Sequence, residues 1–150
     1  MNKVIECLEQ ALALNPPGHP DHTSSLSSLA AAIHVRFQRF GRQTDLEKTI
    51  ELLEEELALY PEGHPDSADA LQGLAIARHR RSKDFHQLLD LDKAEKLCEQ
   101  VLALRPAGHP DRVSALRGLA TVLETRFELL NQISDLDRVI ELHQEALAVG

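Results

Sequence analysis

Apolar residues recur along the chain at helical spacing, in blocks set off by loops containing Pro and Gly. Leu26, Leu29, Ala30, Ile33 and Phe37 fall on one face of a 3.6-residue helix. This pattern predicts an amphipathic helix, here termed A-type. A second pattern covers about 46–59, with equivalents at 1–14, 91–104 and 136–149. In its first copy two stripes run side by side, Met1-Ile5-Leu8-Leu12 and Val4-Cys7-Ala11-Leu14. A helix apolar on two sides must be sandwiched between neighbours, and this one is termed B-type.

The two patterns alternate because the sequence repeats. Gly-His-Pro-Asp occurs at 18–21, 63–66 and 108–111, a spacing of 45 residues both times. Leu26, Leu71 and Leu116 fall in the same register, as do Leu46, Leu91 and Leu136. The B-to-A loops can be read chemically. Pro16, Pro61 and Pro106 end each B-type helix, since proline cannot donate the next ladder bond and restricts the residue before it. Gly18, Gly63 and Gly108 supply a turn position free of Cβ constraint. Pro20, Pro65 and Pro110 are expected at the first helical position, with the following Asp in the first turn. In the A-to-B loops, Asp45, Asp90 and Asp135 are expected to cap the helix that follows. The predicted fold class is all-α, a right-handed α-solenoid of seven antiparallel helices, with a half repeat over 1–17 and repeats over 18–62, 63–107 and 108–150.

Ala11-Leu12-Ala13-Leu14-Asn15-Pro16, followed by Leu26-x-x-Leu29-Ala30, resembles the tetratricopeptide repeat, and the His-Pro-Asp triplet resembles its kinesin-light-chain type. The 45-residue period is similar to repeat arrays in large fungal proteins. The resemblance implies a protein-interaction module in which A-type helices line a concave groove; a cytoplasmic location is expected separately, from two thiols without paired spacing and from Glu6 and Glu9 inside the only candidate leader. The kinesin-light-chain type carries L-N-N-L-A in helix A, where the asparagines are expected to hold a peptide backbone. Here those two positions are Ser27-Ser28, Gln72-Gly73 and Arg117-Gly118, so an amide ladder is absent.

Charge sharpens the picture of the partner. With 16 Lys and Arg against 24 Asp and Glu, the net charge of −8 repels phosphate backbones and anionic lipid surfaces, so neither nucleic acid nor membrane is an expected partner. The charges are also partitioned: A-type segments carry a small basic excess and B-type segments are strongly acidic. A mildly basic groove suits an acidic segment of a protein or peptide partner. The groove residues expected on the concave face are His34, Gln72, His79, Arg80, Arg117, Thr121 and Glu124.

Candidate chemistry beyond this is sparse. His19, His64 and His109 sit one per loop, a repeat apart, and read as loop devices; Cys7 and Cys98 read as core thiols. No nucleophile elbow, His-Glu-x-x-His or phosphate loop occurs, so no enzyme, cofactor or metal is expected. No apolar run approaches the ~20 residues of a spanning helix. The middle repeat departs from its own frame. Arg78 stands where Ile33 and Leu123 stand, Ser82 where Phe37 and Phe127 stand, and Glu56 where Ala11, Val101 and Ala146 stand. Arg78 and Glu56 either carry their charged heads out to solvent or pair with each other, because an unpaired buried charge is costly. On the first and last B-type helices, some of Met1, Val4, Ile5 and Leu8 and part of Ile140, Leu142, Ala146 and Val149 are expected to lack cover. End-to-end self-association, or continuation into further repeats, would bury them. The alternative to a binding module is a regulatory or spacer array serving an effector domain on a longer parent chain.

Overall fold

The computed structural model describes residues 2–61, 63–64 and 67–149. Expectations placed on Met1, Pro65 and the side chain of Val149 lie outside the described residues. These residues form seven helices and no strand: α1 (Asn2–Leu14), α2 (His22–Phe40), α3 (Gln43–Ala58), α4 (Ala68–Phe85), α5 (Leu89–Leu104), α6 (Arg112–Leu130) and α7 (Ile133–Val149). The A-type helices are α2, α4 and α6, and the B-type helices are α1, α3, α5 and α7. The fold is an all-α helical repeat.

The chain forms two compact units, Met1–Ala70 and Leu71–Gly150. In the first, the A-type stripe of α2 is buried as its spacing predicts, Leu26, Leu29, Ala30, Ile33 and Phe37 all being at most 3% exposed. Ile5 of α1 and Leu46, Ile50, Leu52 and Leu53 of α3 are buried too. In the second, one cluster joins Ala75 of α4, Leu91, Ala94 and Cys98 of α5, Leu116, Leu119 and Leu123 of α6, and Val139 and Leu142 of α7. Burying a large aliphatic side chain contributes about 1.5–3 kcal/mol, so these interlocking stripes dominate the stability of each unit.

The turns repeat as faithfully as the helices. Gly18, Gly63 and Gly108 all have positive φ, from 78° to 95°. Asp21 and Asp111 each donate a backbone N–H to Nδ1 of the preceding histidine, His19 or His109, at 3.0 Å. The histidines of the first and third loops are thus loop devices. Pro20 and Pro110 lie before the helix start, because Asp21 and Asp111 are the N-terminal flanking residues of α2 and α6. The expectation of proline at the first helical position is corrected accordingly.

A second correction concerns Asp45, Asp90 and Asp135, which are not caps. Their helices begin one or two residues earlier, at Gln43, Leu89 and Ile133. Each buried carboxylate instead takes a two-pronged hydrogen bond from the arginine nine residues before it. Arg36 Nε and Nη2 donate to Asp45 at 3.0 and 2.7 Å, Arg81 to Asp90 at 2.6 and 2.9 Å, and Arg126 to Asp135 at 2.8 and 2.6 Å. These forks rivet the end of each A-type helix to the start of the next B-type helix. Between them, Gly41, His86 and Asn131, again 45 residues apart, adopt left-handed backbone that ends the A-type helix.

The remaining differences and agreements are local. Arg78 Nη1 donates to Asp90 Oδ1 at 2.9 Å. Glu56 forms no ion pair among the described residues, and its Oε1 is buried with no hydrogen-bond partner. Ser82, fully buried, donates its hydroxyl to the His79 carbonyl at 2.6 Å. Cys98 is buried but Cys7 is exposed, so only the former is a core thiol. On the outermost helices Val4 and Ile140 are bare, whereas Ile5 and Leu142 are buried.

Candidate functional site

Three elements of the second unit enclose a cavity of about 330 Å³. Two A-type helices, α4 and α6, form its walls, and α5 supplies the floor through Cys98 and Val101. The walls are apolar where they face each other, with Ala75 and Ile76 on α4 and Ala115 and Val122 on α6. The cavity exists partly because of Gly118. A Cβ built there meets nothing within 4 Å, so the missing side chain leaves a slot in the α6 wall.

Polar groups edge this apolar interior, and most are fixed in place. Arg105 donates from Nη1 to Gln72 Oε1 at 2.9 Å, and Gln72 Nε2 donates to Ser114 Oγ at 3.1 Å. These bonds settle which way the Gln72 amide points. Thr125 donates its hydroxyl to the Thr121 carbonyl at 3.1 Å, so the 2.7 Å contact between Thr125 Oγ1 and His79 Nε2 takes its proton from the ring. Burial lowers the His79 pKa, and Lys83 and Arg80 push it the same way. His79 is therefore neutral at pH 7, protonated on Nε2 with a lone pair on Nδ1.

Arg117 is the exception among the polar groups. It is exposed at the rim, and its guanidinium has no hydrogen-bond or ion-pair partner among the described residues. The other arginines of α4 and α6 are engaged: Arg81 and Arg126 in forks, Arg78 on Asp90, Arg80 on Asp84 at 2.5 Å, and Arg112 on Glu145 at 2.8 Å. A cation left available beside an apolar slot can receive a carboxylate whose neighbour fills the slot. Covalent chemistry is disfavoured at the only thiol here. Burial, with Glu99 and Glu95 nearby, pushes the Cys98 pKa up to about 12, so it is a neutral floor group and not a thiolate.

Of the expected groove residues, Gln72, His79, Arg117 and Thr121 line this cavity. Arg80 lies on α4 with its charge on Asp84. Glu124 meets His143 of α7 at 3.1 Å, which draws it away from the other groove residues. His34 belongs to the first unit, half-buried with its ring 6.2 Å from that of Phe37. Sequence reasoning missed Arg105, Ser114 and Gly118. The signal for Gly118 was present, since a glycine inside a helix costs about 1 kcal/mol relative to alanine and so asks for a reason.

The fold has solved counterparts. A Podosopora anserina crystal structure described as kinesin light chain nearly identical TPR-like repeats superposes with a TM-score of 0.71 at 24% identity, covering 99% of this chain and 66% of that one. A point variant of the same repeats gives 0.72 at 23% identity with the same coverage. The chain thus spans 66% of the length of these structures. No family model and no curated protein matches it. The likeness establishes a tetratricopeptide-like helical repeat fold.

Proposed function

We propose that the chain is a protein-interaction module, and that the cavity between α4 and α6 holds a segment of its partner. The observation that carries this reading is the unengaged Arg117 guanidinium beside an apolar slot of about 330 Å³. An aliphatic side chain enters the slot, and an adjacent Asp or Glu meets Arg117, Ser114 donating beside it. The aliphatic anchor contributes most of the affinity, while the exposed charge steers encounter and selects against basic partners. An overall charge of −8 makes that local cation the more selective, because an acidic ligand is repelled elsewhere.

The test is selection of binders from a random peptide library displayed against the purified chain. Selected sequences should pair an aliphatic residue with an acidic one, and their affinity should fall as salt is raised. Arg117→Glu should weaken them about tenfold or more. Selected peptides of no consistent charge, bound equally by the Arg117→Glu protein, would refute the reading.

A further inference from the structure

The first unit carries a second cavity, of about 290 Å³, whose chemistry is the reverse of the one just described. Its lining comes from Thr23, Ser24, Ser27 and Ser28 on α2, Glu56 on α3, Tyr60 just beyond α3, and Asp69 on α4. The two cavities occupy the same register one repeat apart: Glu56 stands where Val101 stands, Asp69 where Ser114 stands, and Ser27 where Gln72 stands. Apolar floor and basic rim are here replaced by two carboxylates, four hydroxyls and a phenol ring.

Glu56 is the decisive residue. It is 5% exposed, and its Oε1 makes no hydrogen bond. A buried carboxylate oxygen without a partner is costly, and a helical repeat has no need of one where its sister positions hold Ala or Val. Burial raises the Glu56 pKa, with the Ser27 hydroxyl acting against it and the charge of Asp69 acting with burial. The orphan oxygen, facing a cavity lined by hydroxyls, describes an acceptor whose donor is not among the described residues of the first unit.

We propose that this cavity binds a primary ammonium group, with Glu56 Oε1 as its buried acceptor, the α2 hydroxyls as further acceptors and the Tyr60 ring as its wall. The volume decides against a bare ion, since a water molecule occupies only about 30 Å³ of liquid and this space admits an alkyl stem as well. The acceptors decide against a guanidinium. A planar fork needs both oxygens of a carboxylate, whereas Glu56 offers one orphan oxygen ringed by hydroxyls, which suits a compact three-donor head. Ring faces attract such cations further. The shared chemistry fits either a lysine side chain of a protein or a free alkylamine.

The experiment is an NMR titration of the whole chain at pH 8 with Nα-acetyl-lysine methylamide and, separately, n-butylamine. Both amines are cationic there, their pKa lying near 10. Saturable shifts are expected at the amides of 23–28 and 56–60. Nε-acetylated lysine should give none, and Glu56→Gln should weaken binding about tenfold or more, as loss of a charge-assisted hydrogen bond predicts. Glu56→Val, which installs the residue of the sister position, should keep the fold and abolish the response. Tighter binding of the lysine amide than of butylamine would assign the site to a protein lysine, and equal or tighter binding of butylamine to a free amine. Absence of saturable shifts, equal binding by the Glu56→Gln protein or by acetylated lysine, or a response to calcium or sodium chloride alone would overturn the proposal.

Discussion

Asp90 shows how individual side chains hold this fold. Burial alone would push its carboxyl up, but hydrogen bonds and charge from Arg81, and then from Arg78, outweigh burial and hold it below the usual carboxylate range. Removing the charge takes a shared anion from two guanidinium groups, of which Arg78 is 8% exposed and Arg81 22%. Asp90→Asn should therefore destabilise the protein by about 3–5 kcal/mol in urea unfolding at pH 7. Because the folded pKa is depressed, the contribution is present above about pH 4, the unfolded value, and is lost as pH falls through the lower folded one. The wild-type and variant curves should converge in acid. An unchanged gap from pH 7 to pH 2 would contradict this account. The sequence showed these aspartates at a fixed period but not their role, because a carboxylate at a helix start is chemically equally suited to a cap and to an arginine. Only the backbone, which begins α3, α5 and α7 upstream of them, separates the two.

At the scale of elements, spacing and apolar period located all seven helices, since Leu26, Leu71 and Leu116 cannot be moved off the core face without exposing a whole stripe. The turns were legible only where their residues repeat. Gly18, Gly63 and Gly108 announce a left-handed position, but Gly41, His86 and Asn131 do not look alike and adopt the same backbone. Three different residues meet one demand there, with different strain. Gly41→Ala should destabilise by about 1 kcal/mol, since alanine resists φ of 67°. His86→Gly should do the reverse by several tenths, relieved strain exceeding the added freedom of the unfolded chain. Thermal unfolding of the two variants tests the pair, and shifts of the same sign would show that this backbone position does not set the cost.

For the whole molecule, a B-type helix is complete only when both faces are covered. Leu46 and Leu91 are fully buried, whereas Leu136 at the same position is 41% exposed and Ile140 beside it 49%. Arg126 nonetheless rivets α7 to α6 as firmly as the earlier forks do, so the bare face belongs to an ordered helix. The 150-residue chain should self-associate through it, with sedimentation velocity showing a concentration-dependent species that Leu136→Glu with Ile140→Glu abolishes. A monomer at every concentration would contradict this. The α4–α6 cavity was legible only in part for a related reason: the four expected groove residues that line it lie on A-type positions that the period fixes, while Gly118 acts by what it lacks and Arg105 reaches Gln72 from the end of α5. The central claim, that the α4–α6 slot receives a partner's side chain, is tested most directly by the Kd of one library-selected peptide for Gly118→Leu. The leucine grows into open space, so the melting temperature should hold or rise while binding falls about a hundredfold as the slot is filled. A Gly118→Leu protein that folds and binds the peptide with unchanged affinity would contradict the account.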